Sequence, residues 1–520
     1  MSWDNYPRPQ FKRKQWQNLN GSWQMNGREV YVPSCQFEEK LEYSRSFVFE
    51  KVNSKVLLHF GAADQIAEVY LNGRKLGSHE GGYLPFTFDV TDALFEGENE
   101  LRVLVIDELD RDYPYGKQRK DHGGMWYTPM AGLWGSVWLE QVPQNYIEAI
   151  EITPDLSGIS VAVKGPECEI LLSNGQIAAT QSGKARIEIE NPVLWTPDNP
   201  HLYTAVFKGG GDEVEVYFAL RTIEVKNIKG INRVCLNGRP VFIHGVLDQG
   251  YFSPGLMLPD DPAEYERDVL RMKELGFNTI RKHIKIEPEE FYHACDRLGM
   301  LVIQDLVNSG EYKFFKDTIL GTIGAHLGDR TGLGGKRKQF WIEHSKETLK
   351  HLYNHPSLVI YTIFNEGWGQ FESDAVYNML KSRDGTRLYD STSGWFAQKL
   401  NDFDSRHIYF RTVKLHPKTR PLFVSECGGY SLDVNGYSGN AYGYGKCSDT
   451  GELTDKIVSM YEKMILPAIK GGCCGCIYTQ LSDVEDEING FYSFDREKCK
   501  VDKERIQELS ARIYDEINKT

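Results

Sequence analysis

The sequence predicts a multidomain chain: an N-terminal jelly-roll β-sandwich over residues 1–144, an immunoglobulin-like β-sandwich over 145–226, and a C-terminal (β/α)8 TIM barrel over 227–520. Three observations carry this expectation. A length of 520 residues exceeds what one ordinary core organises, so two or three domains are expected. Helical periodicity is nearly absent as far as Lys226, where short apolar or alternating runs are separated by turns. After Arg239-Pro240 the pattern changes to buried strands alternating with amphipathic helices.

In the first domain, Val56-Leu-Leu-His-Phe-Gly61 and Glu100-Leu-Arg-Val-Leu-Val-Ile106 alternate or run apolar, and Asn72-Gly73 is a strong hairpin signal. The second keeps short strands at 149–152, 159–163 and 205–207, enough for a small sandwich. In the third, candidate strands fall at 241–247, 279–283, 301–306, 359–365, 388–391, 407–410, 422–426 and 476–481. Candidate helices between them include 263–275, 289–298, 340–351, 374–383 and 455–469. Eight strands, each leading towards a helix or long loop, are the count of a (β/α)8 barrel. A doubly wound open sheet would carry a glycine-rich phosphate turn after its first strand, and none follows 241–247.

Composition narrows the partners. A formal charge of −13 without a basic run argues against nucleic acid and against anionic membrane surfaces. The N-terminus lacks a charged start and an apolar h-region, and no window has the apolar length needed to span a bilayer. Ten scattered cysteines form no disulfide framework, so reduced thiols and a cytoplasmic location are expected. Cys473, Cys474 and Cys476 raise a zinc hypothesis. No partner pair at finger spacing exists, however, so small residues packing the start of a buried strand are the simpler explanation. Aromatic residues at 12% suit sugar faces but serve cores equally well.

Chemistry in such a barrel gathers at the C-terminal ends of its strands. Those ends read Asp248, His283, Asp305, Asn365-Glu366, Trp395, Tyr409, Glu426 and Gln480. Glu366 ends strand four and Glu426 ends strand seven, so the two face each other over the central pocket. Carboxyl groups roughly 5–5.5 Å apart suit glycoside hydrolysis with retained anomeric configuration, one as protonated acid and one as ionised nucleophile. Asn365 is placed to bond the sugar 2-hydroxyl.

These residues resemble the clan of (β/α)8 glycosidases with an acid/base Glu on strand four and a nucleophile Glu on strand seven. The rest of the chain resembles one member, glycoside hydrolase family 2, which includes β-galactosidases, β-glucuronidases and β-mannosidases. The stretch Leu71-Asn-Gly-Arg-Lys-Leu-Gly77 with Trp126-Tyr-Thr-Pro-Met-Ala-Gly-Leu-Trp134 is similar to that family's sugar-binding jelly roll. Leu194-Trp-Thr-Pro-Asp-Asn-Pro-His-Leu-Tyr203 and Phe218-Ala-Leu-Arg-Thr222 resemble the exit of its immunoglobulin-like domain, and Leu236-Asn-Gly-Arg-Pro240 the start of its barrel. The resemblance assigns Glu366 as acid/base and Glu426 as nucleophile. It places Tyr409 against the nucleophile and Arg281 below it, the alternatives being a core aromatic and a barrel-wall ion pair. His283 matches the strand-two motif. Asp248 either binds sugar hydroxyls or caps its loop, and Trp395 is either a stacking wall or core.

The departures concern the sugar. Tyr478 stands where many relatives have a tryptophan beneath the substrate. The Asn-x-Lys signature of many β-glucuronidases is not evident between Asp483 and Arg496, and the acidic run at 483–487 would repel a uronate if it faced the pocket. Lys282, Lys285 or Arg411 are the candidate substitutes. A retaining exo-β-glycosidase of β-galactosidase type is therefore the first expectation. A β-glucuronidase or β-galacturonidase without the usual motif is the alternative, or a non-catalytic carbohydrate-binding relative. Transfer to another sugar in place of hydrolysis would use the same residues. No cofactor is implied and no metal signature is evident, Glu311, His344 and the run 483–487 reading as solvated faces. A carbohydrate and a second copy of the chain are the expected partners. Segments 308–338 and 430–445 are expected as loops over the pocket.

Overall fold

The computed structural model describes residues 3–50, 54–322, 329, 335–436 and 441–520. The N-terminal sandwich pairs a six-stranded antiparallel sheet with a four-stranded one. The long strands Lys40–Phe49 and Gly97–Ile106 run side by side at the centre of the larger sheet. Their alternating burial sends Leu41, Tyr43, Leu101, Val103 and Val105 inward against Leu58 and Phe60 of the smaller sheet. Asn72 and Gly73, both at positive φ, make the expected tight turn between Ile66–Leu71 and Arg74–Glu80. The second sandwich stacks a three-stranded sheet on a four-stranded one around Ile159, Val161, Phe207 and Val216.

A further small sheet follows that the sequence reading lacks. Ile223–Ile228, Ile231–Leu236 and Arg239–Pro240 form an antiparallel ribbon. The junction expected at residues 226 and 227 falls inside its first strand. Val234 and Leu236 pack with Trp195 onto Ile243, Leu301, Val359 and Phe423, which closes the floor of the barrel. Arg221, 2% exposed, anchors the same floor by donating to the carbonyls of Pro356, Thr386 and Leu358 at 3.0, 3.0 and 2.7 Å. Pro356 and Thr386 lie just before two barrel strands and Leu358 begins one, so a rigid guanidinium satisfies three acceptors at the strand starts.

The barrel strands, numbered from the first of them, are β1 (Ile243–Asp248), β2 (Thr279–Lys282), β3 (Leu301–Asp305), β4 (Leu358–Asn365), β5 (Leu388–Ser393), β6 (Asp404–Ile408), β7 (Leu422–Gly428) and β8 (Cys473–Thr479). All neighbours are parallel, in the order β5-β4-β3-β2-β1-β8-β7-β6. Side-chain bonds span the gap between β5 and β6, where the Ser405 hydroxyl donates to Asp390 Oδ2 at 2.6 Å. Strands buried on both faces tolerate few polar residues, which is why β3 and β4 and most of β7 and β8 read as apolar runs, whereas β2, β5 and β6 carry polar and charged residues. The expected strand at 407–410 begins earlier, at Asp404, and that at 476–481 begins at Cys473. Cys473, Cys474 and Cys476 are thus buried strand residues with free thiols, and Cys476 Sγ lies 3.1 Å from Cys427 Sγ of β7.

Helices Ala263–Glu274, Glu289–Leu298 and Ser373–Arg383 lie where periodicity placed them, the expected 340–351 begins earlier at Gly335, and the expected 455–469 begins at Thr450 and reaches Ile469 through a π-helical turn at Tyr461–Ile465. A last helix, Lys503–Asn518, is capped by Asp502 accepting from Arg505 N and buries Ile506, Leu509, Ile513 and Ile517 on one face. No helix among the described residues is long and apolar enough to cross a membrane.

Candidate active site

Two local distortions aim the carboxylates. At the end of β4 the chain turns at Glu366, φ +52°, with Glu366 N on Ser393 O at 3.1 Å and Trp368 N on Asn365 O at 2.9 Å. A left-handed conformation costs a non-glycine residue about 1–2 kcal/mol and persists where surrounding bonds over-determine it. Here it swings Glu366 over the barrel mouth. The β6–β7 ladder shifts register between Arg406 and His407, and the β7–β8 ladder between Val424 and Cys427. Glu426 stands beside both irregularities, which turn its side chain inward.

The charge pattern gives the two acids different environments. Arg281, fully buried on β2, donates to Glu426 Oε1 at 3.0 Å and to Ser425 O, both Asp305 oxygens and Asn365 Oδ1, each at 2.9 Å. The Tyr409 hydroxyl donates to Glu426 Oε2 and lies 3.1 Å from Thr479 Oγ1. Burial alone would raise the Glu426 carboxyl, but His407, Arg281, His283 and the Tyr409 bond outweigh it and hold the group at about 2. Asp305 is likewise kept at about 2 against burial, by Arg281 and by His283, whose Nδ1 lies 2.7 Å away. The phenol of Tyr409 is pushed well above its ordinary value by burial and by the Glu426 charge, so it remains a donor. Glu426 is therefore ionised in a buried site.

His407 stands between the two acids. Its Nδ1 is 2.7 Å from Glu366 Oε1, its Nε2 is 3.5 Å from Glu426 Oε1, and Ser393 Oγ lies 3.0 Å from Nε2. One atom from each of Glu366, His407 and Glu426 can be chosen so that all lie within 4.8 Å of one another. Such a trio is also a possible cation site, and the only one of its kind among the described residues. Arg281 already neutralises Glu426, which makes a cation a poor competitor there.

Glu366, Glu426, Asn365, His283 and Tyr409 line one pocket, with Arg281 beneath it. Three expected residues stand elsewhere. The Asp248 carboxylate is occupied by Lys282 Nζ and by Gly250 N at 2.8 Å, so it caps its loop and pairs with a buried ammonium. Tyr478 is 1% exposed and packs on Phe491, with ring centroids 4.8 Å apart, away from the pocket lining. Trp395 is half-buried beside His407 at 5.9 Å and does not line the pocket. Conversely, His407, Lys117, Trp368 and Tyr444 were not singled out, and Glu487, the last residue of the acidic run expected to be solvated, lines the pocket instead. His407 had one usable signal, its position two residues before Tyr409 on a strand, where side chains share a face. Lys117 comes from a loop of the first domain and had none.

The acidic run at 483–487 is not a solvated face. Asp483 pairs with Lys500 at 2.6 Å, Glu485 accepts from Thr128 N at 3.0 Å, and Asp486 accepts from Gly124 N at 3.1 Å. Glu487, 2% exposed, accepts from Tyr127 and, at 3.1 Å, from Asn489. The run clamps a loop of the N-terminal sandwich onto the barrel rim. His344 is also buried, at 7% exposure, whereas Glu311 is exposed. Of the two expected rim loops, 430–445 places Tyr444 against Tyr409, centroids 4.0 Å apart, and 308–338 places Tyr312 against Trp368 at 5.3 Å. Residues 323–328, 330–334 and 437–440 of these segments lie outside the described residues.

Comparison with known proteins agrees with this architecture. Residues 24–133 match "Glycosyl hydrolase 2 galactose-binding domain-like", 159–221 match "Glycosyl hydrolases family 2" and 224–420 match "Glycosyl hydrolases family 2, TIM barrel domain". A β-galactosidase of Thermoanaerobacter pseudethanolicus is 26% identical over 429 residues, 74% of this chain and 53% of that protein. A β-glucuronidase of Paenibacillus borealis is 26% identical over 389 residues, 67% of this chain and 62% of that protein. The chain spans about half the length of the curated relatives it matches. A β-D-glucuronidase structure from Dictyoglomus thermophilum shares the fold, with a TM-score of 0.79 at 18% identity, covering 97% of this chain and 98% of that one. With its two sandwiches and its barrel matched in order by descriptions of one family, the chain belongs to glycoside hydrolase family 2.

Proposed function

We propose that this protein is a retaining exo-β-glycosidase that hydrolyses terminal β-glycosides by double displacement. One observation carries the reading: an ionised, arginine-bound Glu426 and a second carboxyl, Glu366, share a buried pocket with oxygen atoms less than 5 Å apart. The Glu426 carboxylate attacks the anomeric carbon as the glycosidic C–O bond breaks. Its electron pair goes to the leaving oxygen, which takes a proton from Glu366. Water then returns a proton to Glu366 and displaces Glu426 from the sugar. Arg281 and Tyr409 hold the nucleophile in place and charged, and His407 orients the acid.

Relatives of similar identity carry the names β-galactosidase and β-glucuronidase, so names alone favour neither sugar. A β-galactoside is the first expectation from sequence. A β-uronide is the second, and one feature of the pocket, the Lys117 ammonium, favours it. The test of the reaction itself is a pair of variants. Glu426→Ala should abolish cleavage of nitrophenyl β-glycosides, whereas Glu366→Ala should lose activity that azide restores on good leaving groups. Full activity in either variant, or inversion of configuration by NMR, would overturn the mechanism. Sugar binding by the wild-type protein without cleavage of any nitrophenyl β-glycoside would favour a non-catalytic carbohydrate-binding role.

A further inference from the structure

Lys117 brings a positive charge into the pocket that no anion of the described chain answers. The residue is only 7% exposed and lines the same cavity as Glu366 and Glu426. Its Nζ lies 5.5 Å from the ring centre of Tyr127 and 5.9 Å from that of Trp368, and has no hydrogen bond or ion pair among the described residues. The carboxylates nearby are engaged elsewhere: Glu426 by Arg281 and Tyr409, Glu366 by His407, Glu487 by Tyr127 and Asn489. A second donor beside it is also unused, because the buried indole Nε1 of Trp368 has no acceptor. Aromatic faces stabilise an ammonium, but a buried cation and a buried N–H without acceptors are both unfavourable unless a ligand completes them.

The position is built, not incidental. Gly116, at φ +69°, lets the backbone lie against the barrel, since a Cβ there would stand 3.2 Å from Ile284 O. Tyr115 bonds across to the barrel through Tyr115 N on Asn308 O at 3.1 Å and its hydroxyl on Gly310 O at 2.8 Å. Tyr127 N on Lys117 O at 3.0 Å holds the other side. The lysines and arginine that the sequence offered for this role are unsuited. Lys282 is paired with Asp248 and Glu287, Lys285 with Glu287 at 2.8 Å, and Arg411 is exposed.

We propose that Lys117 and the Trp368 indole N–H receive a sugar carboxylate, so that the N-terminal sandwich sets the specificity of the barrel for β-glucuronides or β-galacturonides over the neutral hexosides. Two donors of which one is charged fit the paired oxygens of a carboxylate, and a hydroxymethyl group would leave the charge uncompensated. This inference rests on the glycosidase reading of the pocket.

The experiment compares kcat/KM on nitrophenyl β-glucuronide, β-galacturonide, β-glucoside and β-galactoside for the wild-type protein, Lys117→Met and Lys117→Arg. The wild type should favour at least one uronide over its neutral counterpart. In Lys117→Met that ratio should fall about 10- to 150-fold, the factor expected for losing a charged hydrogen bond, and Lys117→Arg should keep a higher ratio than Lys117→Met. A wild-type preference for the neutral sugars overturns the inference while leaving the glycosidase reading intact. So does a ratio unmoved in Lys117→Met. If the wild type cleaves no nitrophenyl β-glycoside at all, the glycosidase reading fails. Calorimetry with free glucuronate and galacturonate then decides the inference alone, an affinity equal in the wild type and Lys117→Met refuting it.

Discussion

Tyr409→Phe isolates one contribution to the state of the nucleophile. The phenol donates to Glu426 Oε2, while Arg281 holds Oε1 at 3.0 Å, so the substitution removes one donor and leaves the ion pair. A hydrogen bond to a charged group is worth ~1.5–3 kcal/mol. One pKa unit corresponds to about 1.4 kcal/mol, so Glu426 should rise by about one to two units. The sign follows from the state that is bonded: losing a donor weakens the carboxylate relative to the carboxylic acid, so protonation becomes easier. From about 2 in the wild type, the group moves towards the ordinary carboxylate value of 4.5. The assay is the pH dependence of kcat/KM on the best chromogenic glycoside, whose acidic limb reports the nucleophile of the free enzyme. That limb should shift upward by about one to two units, with secondary structure by circular dichroism unchanged. A limb that stays in place or moves to lower pH would refute the assignment of Tyr409 as the donor that keeps Glu426 charged.

Acid should unfold the barrel in step with the same charges. Glu426 and Asp305 both sit at about 2 in the folded protein, against ordinary values of 4.5 and 3.8. Their contribution to stability is complete above the ordinary values and is lost as pH falls through that interval towards about 2. Thermal midpoints that stay level across that window would contradict this. Trp195→Ala should cost about 3–5 kcal/mol, because it empties a fully buried indole site under the barrel floor. It also leaves Asp296 O without the indole N–H that reaches it at 2.8 Å. Denaturant midpoints would measure this, and a loss below about 1 kcal/mol would mean that the sandwich and barrel do not depend on that contact.

Much of the barrel was legible because its strands are buried on both faces and its helices on one, so composition and period mark them directly. Glu366 and Glu426 were legible for the same reason: an acid at the end of an apolar strand is a poor packing choice, and the barrel closes such ends onto one pocket. Arg281 and the role of Tyr409 came from the resemblance to the family. Asp248, at the same kind of position, turned instead to Lys282, because the buried ammonium directly across the ladder needed a counter-charge more than the pocket did. That competition between neighbours across a sheet is invisible in one dimension.

The sequence by itself determined the architecture and the order of the domains and placed Glu366 and Glu426 at strand ends, since each depends on local periodicity or on strand position. Only the tertiary structure decided what surrounds them: His407 between the two acids, the acidic run clamped on the sandwich loop, and Lys117 carried from the first domain into the mouth of the third. Those arrangements join residues far apart in sequence, the last two from irregular segments of different domains. No repeating pattern encodes such contacts, because they exist only after domains dock and buried polar groups find partners.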